Sequence, residues 1–248
     1  MEEIKKGRVG AIILAAGRGS RMKSRIQKQF MLLDGKPLLC YCLEVFEQSP
    51  VDDVILVTGQ GEEEYCRQEI VEGYQFQKIR QVVTGGKERY HSVYEGLKAM
   101  TELCGYGSED YVLIQDGARP FVDEAMIVRV TEAARAFGAS VAGMPSKDTV
   151  KLSDNLGFAR MTPERSTVWM IQTPQAFSFS LIYEAYKKLM SRKEYQSGIT
   201  DDAMVVETMT DCKVRLVEGS YRNMKVTTPE DMTIAAALLA EKKEEFLQ

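Results

Sequence analysis

The sequence predicts an α/β fold, a doubly wound and mostly parallel sheet with a protruding β-arm, and two observations lead there. Apolar runs too short for helices alternate with longer segments of helical period, and the alternation stops after Met144. Regular alternation implies right-handed crossovers, so the sheet is expected to be Rossmann-like, with its ligand outside the carboxyl ends of the strands.

The strand-like runs are Val9 to Leu14, Val54 to Val57, Ile79 to Val83, Tyr111 to Ile114 and Ala139 to Gly143, bounded by Gly, Asp or Thr. Their near-continuous apolar character suits strands covered on both faces. Between them, Leu38 to Gln48, Glu62 to Val71, Arg89 to Met100 and Asp123 to Phe137 carry charge on one face and Leu, Val, Ala or Met on the other. From Pro145 to about Ile171 the chain instead shows Lys147 to Leu152, a turn at Asp154-Asn155-Leu156-Gly157, then Thr162-Pro163-Glu164-Arg165. That stretch reads as a hairpin arm. Helices follow at Ser180 to Met190 and Asp201 to Met209, a strand at Lys213 to Val217, and a last helix from Pro229 through Ala240, with proline at its favoured first position. Neither a repeat nor a linker interrupts the pattern, so one domain over 1–248 is expected, with the arm at about 145–171.

Composition narrows the chemistry. Of 248 residues, 44% are hydrophobic and 27% charged, which excludes disordered, collagen-like and low-complexity classes. Chains of this length bury roughly 70 to 75% of their extended surface, so no metal or disulfide is needed to hold the fold. The net charge of -4 provides no global field for nucleic acid or an anionic membrane, and any bound anion must be caught locally. Cys40, Cys42, Cys66, Cys104 and Cys212 are odd in number and lack CxxC spacing, which argues for reduced packing residues. The apolar run before Gly17 is too short for a signal or membrane segment, so a cytoplasmic protein is expected. With His91 as the single histidine, multi-histidine metal sites and Ser-His-Asp triads are disfavoured.

The first strand runs into Ala15-Ala16-Gly17-Arg18-Gly19-Ser20-Arg21-Met22-Lys23, where small residues let backbone N–H groups approach a phosphate. Met22 stands where both GxGxxG and GxxxxGK[ST] require glycine, so neither nucleotide fingerprint is met. The second strand leads into Thr58-Gly59, with no acidic residue to hold a ribose. Alone, such a turn also fits a plain strand-to-helix connection. Arg18, Arg21, Lys23, Arg25 and Lys28 sharpen it, since a solvated basic face explains poorly why the run lies directly after a buried strand.

AAGRGSRM with Lys28-Gln29-Phe30, GGKERYHSV at 85–93, DGARP at 116–120, KDTVK at 147–151, WMIQTPQAF at 169–177, ITDDA at 199–203 and NMKVTTPED at 223–231 follow one another along nearly the whole chain. Together they resemble the 2-C-methyl-D-erythritol 4-phosphate cytidylyltransferases. The resemblance implies a nucleotidyltransferase in which the phosphate of methylerythritol phosphate attacks the α-phosphorus of CTP in line and pyrophosphate leaves. A phosphate monoester is largely ionised near pH 7, so no general base is needed, and catalysis rests on positioning and charge.

By the same resemblance, the backbone of Gly17, Gly19 and Ser20 cradles the triphosphate, and Ala15, Ala16, Gly86 and Ser92 read the cytosine. Arg21 and Lys28 stabilise charge during transfer. Asp116 helps hold a Mg²⁺ on the phosphates, as suits a hard ion, although a carboxylate there also fits the start of a turn. Arg119, Thr149, Arg165 and Lys225 hold the sugar phosphate, and the implied catalytic set is Arg21, Lys28, Arg165 and Lys225. Thr149 and Arg165 lie on the arm, which the resemblance has reaching into a partner's site in a homodimer. Lys87, acidic in some relatives, and Gly117, in place of an alanine, depart from the pattern while leaving backbone contacts possible.

His91 is expected to be a partly exposed helix residue, and Trp169, the tyrosines and the scattered methionines to serve packing. The rival readings are a cytidylyltransferase for another polyol phosphate such as ribitol 5-phosphate, and a nucleotide-binding regulator without catalysis. A regulator is expected to lack Lys28, Asp116 or Lys225, and all are present.

Overall fold

The structure is a computed structural model that describes residues 7–17, 22 and 27–247, without the side chains of 245–247. In chain order the elements are β1 (Val9–Ala15), β2 (Leu32–Leu33), β3 (Lys36–Pro37), α1 (Leu38–Gln48), β4 (Asp53–Thr58), α2 (Glu63–Tyr65), β5 (Ile79–Thr84) and α3 (Arg89–Cys104). Then come β6 (Tyr111–Asp116), α4 (Glu124–Phe137), β7 (Ala139–Pro145), β8 (Leu152–Ser153), β9 (Ala159–Met161) and β10 (Trp169–Ser178). The chain ends with α5 (Phe179–Ser191), α6 (Asp202–Met209), β11 (Arg215–Glu218) and α7 (Pro229–Leu247). The helix expected from Glu62 is α only over its first turn and continues as a π-helical segment, Cys66–Glu72.

A seven-stranded sheet runs in the order β11-β7-β10-β6-β1-β4-β5. β1 pairs in parallel with β4 and β6, β4 with β5, and β11 with β7, while β10 lies antiparallel between β6 and β7. The fold is therefore the expected α/β sheet, mostly parallel, with flanking helices. Successive strands from β1 step outward to β5 on one side, and β6 returns to the other side of β1. The direction of winding reverses between β1 and β6, and a crevice opens there at the strand ends.

Side chains on a strand alternate between faces, and the paired isoleucines of β1 show both halves of the core. Ile13 joins the layer of Leu39, Leu43, Phe46, Met126 and Val130 from α1 and α4. Ile12 joins Val93, Leu97, Ile182, Tyr186 and Val206 from α3, α5 and α6. Each fully buried isoleucine contributes roughly 1.5–3 kcal/mol. α3 sits close to the sheet because Gly96 has no side chain: a Cβ there would stand 2.6 Å from Ile12 Cγ2.

Local chemistry ends these elements where the site needs them. Asp34 and Gly35, both at positive φ, form the tight turn between β2 and β3, as an Asp-Gly pair does. Asp123 caps α4 by accepting from Met126 N–H at 2.6 Å, and Asp201 caps α6 by accepting from Met204 N–H at 3.0 Å. At the start of α3, the Glu88 side chain caps the backbone N–H of His91, and His91 Nδ1 accepts from Glu88 N–H at 3.2 Å. This reciprocal cap accounts for the single histidine on a partly buried helix turn, where the sequence placed it.

The arm differs from expectation at its outgoing end. β8 and β9 pair across a turn in which Asp154 Oδ1 accepts from Leu156 and Phe158 N–H at 2.9 Å each and Gly157 takes φ +85°. The sheet then takes the chain back at Trp169, opposite Pro145, so Trp169 to Ile171 belong to β10 and not to the arm. The sequence pattern does not predict β10 as a strand. Its motif is interrupted by Gln172 to Pro174, where the pairing with β7 shifts register, and that break hides the strand period.

Candidate active site

Two adjoining clefts open at the carboxyl ends of β1 and β6. The larger, about 930 Å³, is walled by Ala15, Ala16 and Gly17 after β1, Gly85 to Arg89 and Ser92 at the start of α3, and Lys28. Its size and pre-formed walls suit a small-molecule ligand. The smaller, about 510 Å³, lies between the end of β6, Gln172 and Thr173 of β10, and the residues around the start of α6. Arg89, Asp116 and Lys225 face both clefts.

The loop before α3 is built close to β1. A Cβ on Gly85 would stand 2.6 Å from Ser92 Oγ and 2.8 Å from Ala16 Cβ, so only glycine lets the loop pass. Ser92 is buried, and its hydroxyl accepts from Gly86 N–H at 3.1 Å, which fixes the loop against the helix. Lys28 stands on a short 3-10 turn, Lys28–Phe30, anchored by Gln29, whose buried amide donates to the Ala15 carbonyl.

Asp116, the last residue of β6, is the electrostatic centre. Its backbone N–H donates to Thr173 Oγ1 at 3.0 Å, which ties the strand end to the irregular part of β10. Lys225 Nζ lies 2.8 Å from Oδ2, Arg89 Nε 3.4 Å from Oδ1 and Arg119 Nε 3.8 Å from Oδ2. Burial would push this carboxyl's pKa up, but Arg89, Lys225 and Arg119 outweigh it and hold the group well below the usual carboxylate range. Arg119 is buried and donates from Nη1 to the Asn223 carbonyl at 2.7 Å. Desolvation pulls its pKa down, opposed by Asp116.

The structure thus gathers Ala15, Ala16, Gly17, Lys28, Gly86, Ser92, Asp116 and Lys225 around the larger cleft and Arg119 beside the smaller. Thr149 and Arg165 stand elsewhere, exposed on the arm and lining neither cleft. Gly19, Ser20 and Arg21 lie outside the described residues. Among the described residues no cluster of three or more His, Cys, Asp or Glu forms a protein-only metal cage.

Both the sequence and the fold have counterparts among known proteins. The profile of 2-C-methyl-D-erythritol 4-phosphate cytidylyltransferase matches residues 9–241. The chain belongs to that family. The cytidylyltransferase of this name from Lachnoclostridium phytofermentans is 47% identical over 238 residues, 96% of this chain and 98% of its own. Its counterpart from Geobacter metallireducens is 46% identical over 235 residues, covering 94% and 98%. The crystal structure of 4-diphosphocytidyl-2C-methyl-D-erythritol synthase from Anaerococcus prevotii superposes with a TM-score of 0.80 at 33% identity, covering 95% of this chain and all of that one.

The ionic cluster around Asp116 extends to residues that the sequence of this cytidylyltransferase does not single out. Arg89 and Asp202 sit inside the motifs GGKERYHSV and ITDDA, yet neither residue is singled out by spacing or period. The fold brings them together across 113 positions, with Arg89 Nη1 and Nη2 donating to Asp202 at 2.9 and 2.7 Å. The cue the sequence offered was the doubled acid Asp201-Asp202 at a helix start, where one residue suffices as a cap.

Proposed function

We propose that the joined clefts carry out the reaction of the family: cytidylyl transfer from CTP to 2-C-methyl-D-erythritol 4-phosphate, giving 4-diphosphocytidyl-2-C-methyl-D-erythritol and pyrophosphate in isoprenoid precursor synthesis. The observation that carries the site assignment is the shared wall of Arg89, Asp116 and Lys225, because an in-line reaction needs the attacked phosphorus where two substrate clefts meet.

CTP occupies the larger cleft, with cytosine against Ala15, Ala16, Gly86 and Ser92 and the triphosphate toward Gly17, Gly19, Ser20, Arg21 and Lys28. Small residues and backbone groups at Ala15, Ala16 and Gly86, with the Ser92 hydroxyl, suit a pyrimidine read by hydrogen bonds. Methylerythritol phosphate occupies the smaller cleft, its phosphate near Arg119 and Lys225. These cations neutralise the repulsion between two anions, and Arg21 and Lys28 take up the charge that grows on the departing pyrophosphate. No side chain is required to remove a proton from the attacking phosphate.

Asp116 is ionised and faces both clefts, so its carboxylate fits a hard cation such as Mg²⁺ and would help hold one. Such an ion would supply neutralisation of the phosphate charge. Asp116 would hold it, while Arg119 and Lys225 orient the acceptor.

Neither cleft contains Thr149 or Arg165, and the arm that bears them exposes Leu152 (47%), Leu156 (82%), Phe158 (69%) and Met161 (51%). An arm with this much apolar surface supports a homodimer in which each arm completes the partner's site. The free cysteines, of which Cys40, Cys42 and Cys66 are buried, suit a cytoplasmic setting.

The test is pyrophosphate release from CTP and Mg²⁺ with methylerythritol phosphate or ribitol 5-phosphate as acceptor. Strong preference for methylerythritol phosphate, loss of activity with chelator and recovery with Mg²⁺ are expected. Equal turnover of ribitol 5-phosphate would reassign the acceptor, and full activity in chelator would remove the metal from the reading.

A further inference from the structure

Arg89 is held from behind as well as from the cleft side. Both terminal nitrogens of its guanidinium engage Asp202, while Nε reaches Asp116 Oδ1 at 3.4 Å. Asp202 is fully buried, lies on the first turn of α6 and lines neither cleft. Its Oδ1 also accepts from the Tyr186 hydroxyl at 2.5 Å, and Tyr186, on α5, is itself fully buried.

Capping of α6 does not account for Asp202, because Asp201 already accepts from Met204 N–H. Packing does not account for it either, since burying a carboxylate is costly unless its partners repay the lost hydration, and an apolar residue of similar volume is commonly tolerated in its place. What the carboxylate provides is direction. A fork-shaped, two-point contact fixes the plane of a guanidinium, and the plane of Arg89 determines where Nε meets Asp116. Burial works against the charge on Arg89, but Asp202 and Asp116 overcome it and keep the guanidinium protonated.

We infer that Asp202, backed by Tyr186, is a positioning residue for cytidylyl transfer: it sets Arg89 so that Asp116 stands where the two clefts meet. The inference rests on the reading of Asp116 as the centre of the site. It extends the machinery from the cleft surface through Arg89 to a buried pair on α5 and α6, elements that line little of the nucleotide cleft.

Two variants test it. Arg89→Lys keeps the charge and loses the fork. The double variant Arg89→Met/Asp202→Leu removes both charges together and leaves no buried ion unpaired. For each, kcat, KM for both substrates and the thermal midpoint are measured. Misplacement at a reacting centre by about 1 Å costs on the order of 100-fold, so kcat is expected to fall by about that factor in the double variant and at least tenfold in Arg89→Lys. KM for CTP should stay within about threefold, and the double variant should melt near the parent. A folded double variant with kcat within about threefold of the parent would show the pair to be dispensable scaffolding and overturn the inference. If the double variant does not fold, Arg89→Lys decides on the same threshold. Asp116→Asn separates the two levels: if it is nearly inactive while the pair variants retain activity, only the positioning role is lost. If Asp116→Asn is itself close to normal, the site assignment fails with it.

Discussion

Lys28 and Asp116 show how the same cleft uses opposite charges. Lys28 faces the nucleotide side from a turn braced by Gln29, so Lys28→Ala is expected to lower kcat by two or more orders of magnitude, roughly 3 kcal/mol of lost charge stabilisation, with a smaller effect on CTP binding. Arg21→Ala should behave alike. Steady-state kinetics of both variants check this, and near-normal turnover would take the basic loop out of the mechanism. The pH dependence follows from Asp116. Its folded pKa lies below its ordinary value of 3.8, so the stability gained from its ionic cluster is complete above that value and drains away as pH falls through the folded pKa. Between pH 5 and 9, then, Asp116 is silent, and the acid limb of kcat/KM for methylerythritol phosphate should fall near pH 6 with the second ionisation of the substrate phosphate. An acid limb that stays near pH 6 with an acceptor of lower phosphate pKa would assign it to the protein instead.

Among the elements, α3 and the arm make contrasting demands. α3 carries Arg89 and Ser92 and approaches β1 only because Gly96 leaves room for Ile12. Gly96→Ala puts a methyl where the sheet already stands, and overpacking of this kind costs about 1–3 kcal/mol. Chemical denaturation should register the loss, together with a raised KM for CTP as the helix start moves away from the cleft. No change in either would mean that the sheet yields at no cost. The hairpin β8–β9 is exposed throughout, so replacing 152–161 by a short Gly-Ser link should leave one protomer's fold and melting behaviour nearly intact while abolishing activity. Retained activity would deny the arm a part in the site.

For the whole molecule the prediction concerns which chain completes which site. Lys28 lines the cleft of its own chain, and Arg165 stands exposed on the arm. If the arm serves the partner, Lys28→Ala and Arg165→Ala proteins, each nearly inactive, should complement when unfolded together and reassembled. Half of randomly paired dimers are mixed, and one of the two sites in each mixed dimer carries neither lesion, so roughly a quarter of parental activity should return. No recovery in demonstrated mixed dimers would place Arg165 in its own chain's site.

Several features of this protein were legible before any coordinates because their causes are local. Continuous apolar runs specify β1, β4 and β6, a proline opens α7, and small residues after β1 announce a backbone that lies close to a ligand. The motif order along the chain was enough to indicate the family. What tertiary structure alone decided depends on distant partners. β10 is a strand because β6 and β7 leave a slot for it, even though its own period is broken at Gln172 to Pro174. Asp116 is a depressed carboxylate because Arg89 and Lys225 reach it from distant parts of the chain and join its neighbour Arg119. Asp202 reads in sequence as one more acidic residue at a helix start. Only the fold places it against Arg89 and Tyr186, where exclusion of water turns an ordinary charge into a directional constraint on the site.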